Sequence, residues 1–228
     1  MATSVPSVNA HAMLHLLHLC SPALPIGAYA YSQGLEYAID SGWIKTPDEI
    51  TDWLLGLMQH SLSYTDLPML CRLYNAWQQG DITCVNYWNN YLRACRESRE
   101  LLLEDEQLGG ALARLLKGLD VPVSIALEAP STYACQFARA GVHWGIALDD
   151  LCCGFLWSWL ENQVAAATKL VPLGQTQGQR ILVALMPHIP ALCAAAHTRQ
   201  DDELGRGLPG LAMASCLHER QYSRLFRS

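Results

Sequence analysis

His11, His15 and His18 stand at i, i+4 and i+7, a spacing that sets three imidazoles on one face of a helix, with Cys20 just beyond. Imidazoles four residues apart can share a divalent ion such as nickel or zinc. The same residues also suit a partly exposed helix edge, and no carboxylate lies within the segment to complete or orient a metal site. Gly174-Gln175-Thr176-Gln177-Gly178-Gln179 falls between the end of one helical pattern and the start of the next, where backbone N–H groups could cradle an anion. It lacks the Gly-Lys-Ser/Thr ending of a phosphate loop, which leaves its glutamine amides to satisfy a turn or to grip a partner's backbone. No Gly-x-Ser-x-Gly, no cysteine with a supporting histidine and no carboxylate pair in a cleft is recognisable. The acidic runs Asp149-Asp150 and Glu104-Asp105-Glu106 read as solvated helix faces. The chain is therefore expected not to be an enzyme.

These residues sit in a chain of 228, enough for a single domain whose core needs no disulfide or metal staple. The composition is 51% hydrophobic and 16% charged, with a mean hydropathy of +0.10, so some apolar surface is expected to be covered by a partner, as in an oligomer or obligate complex. Nine cysteines are scattered without a Cys-x-x-Cys pair, which fits buried reduced thiols. The first 19 residues lack the basic start and cleavage site of a secretory signal, so a cytoplasmic location is expected. Residues 142–160 are apolar enough to suggest a membrane span, but Asp149, Asp150 and the following Glu161-Asn162-Gln163 favour a buried helix and no membrane. A net charge of −6 without basic runs argues against nucleic acid.

Apolar spacing of three and four recurs from end to end, whereas alternating strands are nearly absent, residues 121–127 being the nearest candidate. The expected fold is all-α, a single-domain bundle of roughly nine to ten helices spanning residues 1–228. The periodicity predicts helices over 11–19, 32–41, 47–63, 66–79 and 82–95, then 98–116, 131–140, 146–170, 178–186 and 190–198. Thr46-Pro47-Asp48-Glu49 carries N-cap, first-turn proline and capping box together. In the helix over 98–116, Glu104, Asp105, Glu106 and Arg114 are expected to face outward. Residues 200–209, polar and glycine-rich, read as a mobile loop. At about 216–228 the chain ends in a tail dense in arginine and aromatic groups, types enriched at binding hot spots.

Four stretches together resemble the UreF family of urease accessory proteins. They are residues 21–36 (SPALPIGAYAYSQGLE), 98–109 with Ser98-Arg99-Glu100-Leu101 and Gln107-Leu108-Gly109, 169–179 (KLVPLGQTQGQ) and 218–228 (HERQYSRLFRS). The resemblance runs in order along nearly the whole chain. It implies an all-helical homodimer that tightly binds no cofactor itself and works in nickel delivery, the nickel being handled by an assembled complex. The implied partners are UreD (also called UreH), the GTPase UreG and the urease apoprotein subunits. The implied role is that of a scaffold and regulator, with a GTPase-activating role toward UreG as the alternative.

Carried over residue by residue, the resemblance implies partner contacts at Tyr29, Lys169, Gln175, Gln179, Tyr222, Ser223, Arg224, Leu225, Phe226 and Arg227. Tyr29 and Arg224 fall on the side used for the GTPase. Tyr222, Leu225 and Phe226 fall in the part that orders when UreD binds. An architectural alternative for the proline turn has Pro22 and Pro25 fixing the chain while Tyr29 and Tyr31 pack inside. The set His11, His15 and His18 is not part of the family pattern.

Overall fold

The computed structural model describes residues 9–122, 127–171 and 173–228, with the backbone alone at Gln175. Among these residues eleven α-helical segments occur and no strand, as expected of an all-α chain. They are α1 (Ala10–Leu19), α2 (Leu35–Asp40), α3 (Pro47–Leu57), α4 (Asp66–Gln79), α5 (Ile82–Ala94), α6 (Arg99–Gly118), α7 (Tyr133–His143), α8 (Leu148–Leu170), α9 (Gln175–Leu185), α10 (Ile189–Thr198) and α11 (Pro209–His218). A 3-10 turn at Met186–His188, around Pro187, joins α9 to α10 as one bent rod.

The local signals act where they are written. Thr46 Oγ1 accepts from Glu49 N–H at 3.2 Å while Glu49 Oε2 accepts from Thr46 N–H at 3.0 Å, the two halves of a capping box. Asp81 and Ser98 cap α5 and α6 through Cys84 N–H and Leu101 N–H. The predicted 47–63 helix is α3 continued by a single π turn, Met58–Leu62.

The long helix α8 lies at the centre and packs on α1, α2, α3, α4, α7, α9 and α10. Its Leu151, Leu156, Leu160 and Ala167 are fully buried, each large apolar side chain contributing about 1.5–3 kcal/mol. The rings of Tyr133, Phe137 and Phe155 meet at 5.3–5.5 Å between centroids and join α7 to α8. Next to them α6 and the start of α7 approach so closely at Gly109 that a Cβ there would stand 2.0 Å from the Ser131 carbonyl oxygen.

Several expectations are corrected. The 32–41 helix starts only at Leu35, because Gln33 (φ 52°) and Gly34 (φ 78°) are left-handed. At Gly34 the close approach of α11 demands it, since a Cβ would meet Ser215 N at 2.9 Å. Residues 174–179 are not a loop before a helix at 178: α9 begins at Gln175, and Gln177 Oε1 accepts from Gly174 N–H at 3.3 Å. Residues 200–209 form a pinned strap rather than a free loop. Asp201 pairs with Arg72 at 2.5 Å, Gly205 N–H donates to Tyr64 O at 3.0 Å, and Arg199 and Arg206 lie 3.6 and 4.1 Å from the Tyr64 ring centre.

The strand candidate at 121–127 lies mostly outside the described residues. Residues 142–160 supply the end of α7, the turn after it and the first half of α8, whose Leu151, Cys152, Phe155, Leu156 and Leu160 are buried. Among the described residues, the segment long and apolar enough by length and composition to cross a membrane is instead Thr176–Thr198, whose 18-residue window has mean hydropathy 1.5 and is 33% buried.

Candidate partner-binding site

The C-terminal tail is laid back over its own chain, and one carboxylate is the hub that holds it. Glu36, the second residue of α2 and buried, accepts from Leu225 N–H at 2.6 Å and from Phe226 N–H at 2.9 Å. His218, fully buried at the end of α11, bridges two carboxylates: its Nε2 is 3.0 Å from Glu36 and its Nδ1 2.7 Å from Glu100. Arg224 pairs with the other oxygen of Glu100 at 2.5 Å. Farther along, Arg227 N–H donates to Ala30 O, Ser32 N–H and Oγ donate to Ser228 O, and Ser228 Oγ donates to Glu104 at 2.6 Å.

This docking sorts the tail into two faces. Phe226 and Ser228 are buried, whereas Tyr222, Ser223, Arg224, Leu225 and Arg227 point outward, Tyr222 fully exposed and Leu225 64% exposed. Lys169, near the end of α8, places its Nζ 5.5 Å from the Phe226 ring centre and 5.8 Å from that of Tyr29, within cation–π reach of both. The proline turn thus divides its tyrosines. Tyr31 is buried and its hydroxyl donates to Gln107 at 2.5 Å, while Tyr29 is 66% exposed, so the inward packing expected of both holds for Tyr31 alone. The structure brings together Tyr29, Lys169 and Phe226, with Arg224 and Leu225 on the same short tail. Gln179 stands exposed on α9, which packs on α8 and α3, and the side chain of Gln175 lies outside the described positions.

A cavity of about 100 Å³ has Gln33, Asp66, Arg96, Glu104, Asp105 and Gln163 in its lining. Here the expectation that Glu104 and Asp105 face outward fails: both are buried, at 5% exposure. Arg96 reaches Asp66 and Asp105, each at 2.7 Å, and Asp105 also accepts from Tyr133 N–H at 2.7 Å. Gln33 donates to Glu104 and accepts from Trp159 Nε1, both at 2.8 Å, which accounts for its left-handed backbone. The signal was present in the spacing. Positions 101, 104, 105, 108, 112 and 116 follow the three-four rhythm of one helix face, and residue type obscured it.

Burial pushes the Glu104 carboxyl up to about 7, against hydrogen bonds from Ser228 and Gln33 and the charge of Arg96, with Asp105 adding to the rise. The folded state therefore binds the extra proton between the ordinary carboxyl value of 4.5 and about 7, and stability falls as pH rises through that window. The loss amounts to about 3 kcal/mol once Glu104 is ionised. Glu104→Gln is expected to flatten this slope, read as the urea midpoint at pH 5 against pH 8. An unchanged slope would refute the assignment.

The N-terminal histidines converge only in part. His11 and His15 place their Nε2 atoms 3.1 Å apart, and His15 stacks on Trp144 at 4.5 Å, whereas the His18 ring lies 6.4 Å from Trp144. Burial first, then the neighbouring His11, His18 and His143, lower the pKa of His15. Cys20 turns inward: a Cβ on Gly154 would lie 2.8 Å from its sulfur, and burial, with help from Glu161, pushes its thiol up to about 12. It does not join the histidines.

Comparison with known proteins identifies the family. The UreF family model matches residues 44–186. The urease accessory protein UreF of Teredinibacter turnerae is 61% identical over 95% of this chain and 98% of its own length. Those of Alkalilimnicola ehrlichii and Hahella chejuensis are 49% and 51% identical, each over 95% of this chain and 96% and 98% of their own lengths. With an all-helical fold and similarity carried from one end of these relatives to the other, the chain belongs to the UreF family of urease accessory proteins.

Proposed function

We propose that this protein is a non-enzymatic scaffold in maturation of the urease nickel centre, joining UreD and the GTPase UreG to the urease apoprotein in the cytoplasm. The supporting observation is the outward face of the docked tail. Tyr222, Leu225 and Arg224 are exposed on a segment whose other face is anchored by Glu36 and Glu104 and whose Phe226 lies, with Tyr29, within reach of Lys169. A pre-positioned aromatic and arginine cluster is the composition of a binding hot spot, and anchoring lowers the ordering cost of docking. Exposed Leu14, Leu17, Val183 and Met186, on α1 and the α9–α10 rod, add apolar surface for a second copy or another partner.

The test uses residues that contribute little to the fold. Tyr222→Ala/Leu225→Ala is expected to bind purified UreD at least tenfold more weakly, about 1.4 kcal/mol, with an unchanged melting temperature. Wild-type affinity in that variant would remove the tail from the interface. Arg224→Ala separates grip from catalysis. Weaker UreG binding supports a scaffold, whereas slower GTP hydrolysis with binding intact supports a GTPase-activating role.

A further inference from the structure

Cys71, Cys152 and His197 come from α4, α8 and α10, three helices remote in sequence and packed on one another. The two sulfurs lie 3.6 Å apart, and a ring nitrogen of His197 is within 4.8 Å of both. Two thiolates on a tetrahedral ion at about 2.3 Å are separated by about 3.8 Å, so this pair already spans one edge of such a site. It is far from the ~2.05 Å of a disulfide. Both cysteines are buried, while His197 sits at the rim with 26% of its side chain exposed, which leaves a path from solvent. Asp149 Oδ1 lies 3.1 Å from His197 Nε2. A carboxylate on an imidazole orients the ring and raises its basicity as a ligand. Scattered core cysteines acting only as small apolar groups would have no need of an imidazole beside them.

We propose that Cys71, Cys152 and His197 form a site for one thiophilic divalent cation of the zinc class, with Asp149 orienting His197 and water completing the tetrahedron. The inference stands on this cluster alone and is independent of the tail's role. Binding requires both thiols to release their protons to solvent as the two S–metal bonds form.

The test is titration of the reduced full-length protein with Co²⁺ as the spectroscopic probe, followed by competition with Zn²⁺. A near-ultraviolet thiolate-to-cobalt band saturating at one equivalent per chain is expected, and Zn²⁺ should bleach it. Cys71→Ala/Cys152→Ala should abolish the band, and Asp149→Asn should weaken binding about tenfold. His197→Gln, at the surface, should weaken it at least tenfold and keeps the test decisive if the double cysteine variant does not fold. His11→Ala/His15→Ala should leave the band unchanged. The proposal is overturned by absence of a thiolate band in the wild type, by a band unaffected in His197→Gln or surviving loss of both cysteines, or by thiol counting that finds Cys71 and Cys152 joined as a disulfide.

Discussion

Arg96→Met is expected to destabilise the protein by about 3–5 kcal/mol, because it strips the cation from two buried carboxylates at once. Asp66 and Asp105 are each 5% exposed, and Arg96 is the guanidinium that bonds both. Methionine restores most of the side-chain volume, so the loss reports charge and hydrogen bonding more than a cavity. For a chain of this length about 1 kcal/mol corresponds to about 2–4 °C, and the melting temperature should fall by about 10 °C. The triple change Arg96→Met/Asp66→Asn/Asp105→Asn should recover much of this, since the cost lies in unpaired buried charge. A single variant within about 1 kcal/mol of wild type would contradict the network. The stakes extend to the fold because Asp105 also holds Tyr133 N–H at the start of α7.

Glu36→Ala is expected to release the tail. Its carboxylate serves Leu225 N–H, Phe226 N–H and His218, and unsatisfied buried polar groups cost about 1–3 kcal/mol each. The tail offers a cheaper escape than burying three unmet partners: it lifts away and exchanges those bonds for water. The stability loss is then limited to the free energy of docking, about 2–4 kcal/mol, while local opening becomes the larger effect. Trypsin cleavage after Arg224 and Arg227 should accelerate at least tenfold, with helical circular dichroism nearly unchanged. UreD affinity should fall with it, because Tyr222 and Leu225 lose their platform. Cleavage at the wild-type rate would show that Ser32, Ala30 and Glu104 hold the tail without Glu36.

Much of the helical layout was legible in the residues. Thr46, Asp81 and Ser98 each act within one turn of chain, so their caps form irrespective of what packs nearby. The starts of α2 and α9 were misplaced for tertiary and local reasons respectively. Gly34 yields to α11, which arrives from residues some 180 positions away, and Gln177 supplies its own first-turn partner. The strap at 200–209 reads as free from composition, yet Tyr64 and Arg72 hold it, and neither is adjacent in sequence.

The candidate site divides in the same way. The family resemblance singled out Tyr29, Lys169, Arg224 and Phe226, of which the structure sets Tyr29, Lys169 and Phe226 together, but Glu36, Glu100, Glu104 and His218, which position the tail, carried no mark of that role. Carboxylates are expected at surfaces, and only the arrival of donors from the far end of the chain makes their burial tolerable.

By itself, then, the amino-acid sequence determined the all-helical class, most helix ends, and membership of a family whose motifs run along the chain. These rest on interactions spanning a few residues or on direct similarity. Only the tertiary structure decided that Glu104 and Asp105 turn inward, that the tail folds back onto Glu36, and that Cys71 meets Cys152 and His197. The spacing of Glu104 and Asp105 already marks the inner face of α6, but the donors that make their burial tolerable, Gln33 and Ser228 on Glu104 and Tyr133 N–H on Asp105, arrive from 28 to 124 positions away, as the partners of the tail and of Cys71 arrive from 81 to 190, and helix packing sets that proximity.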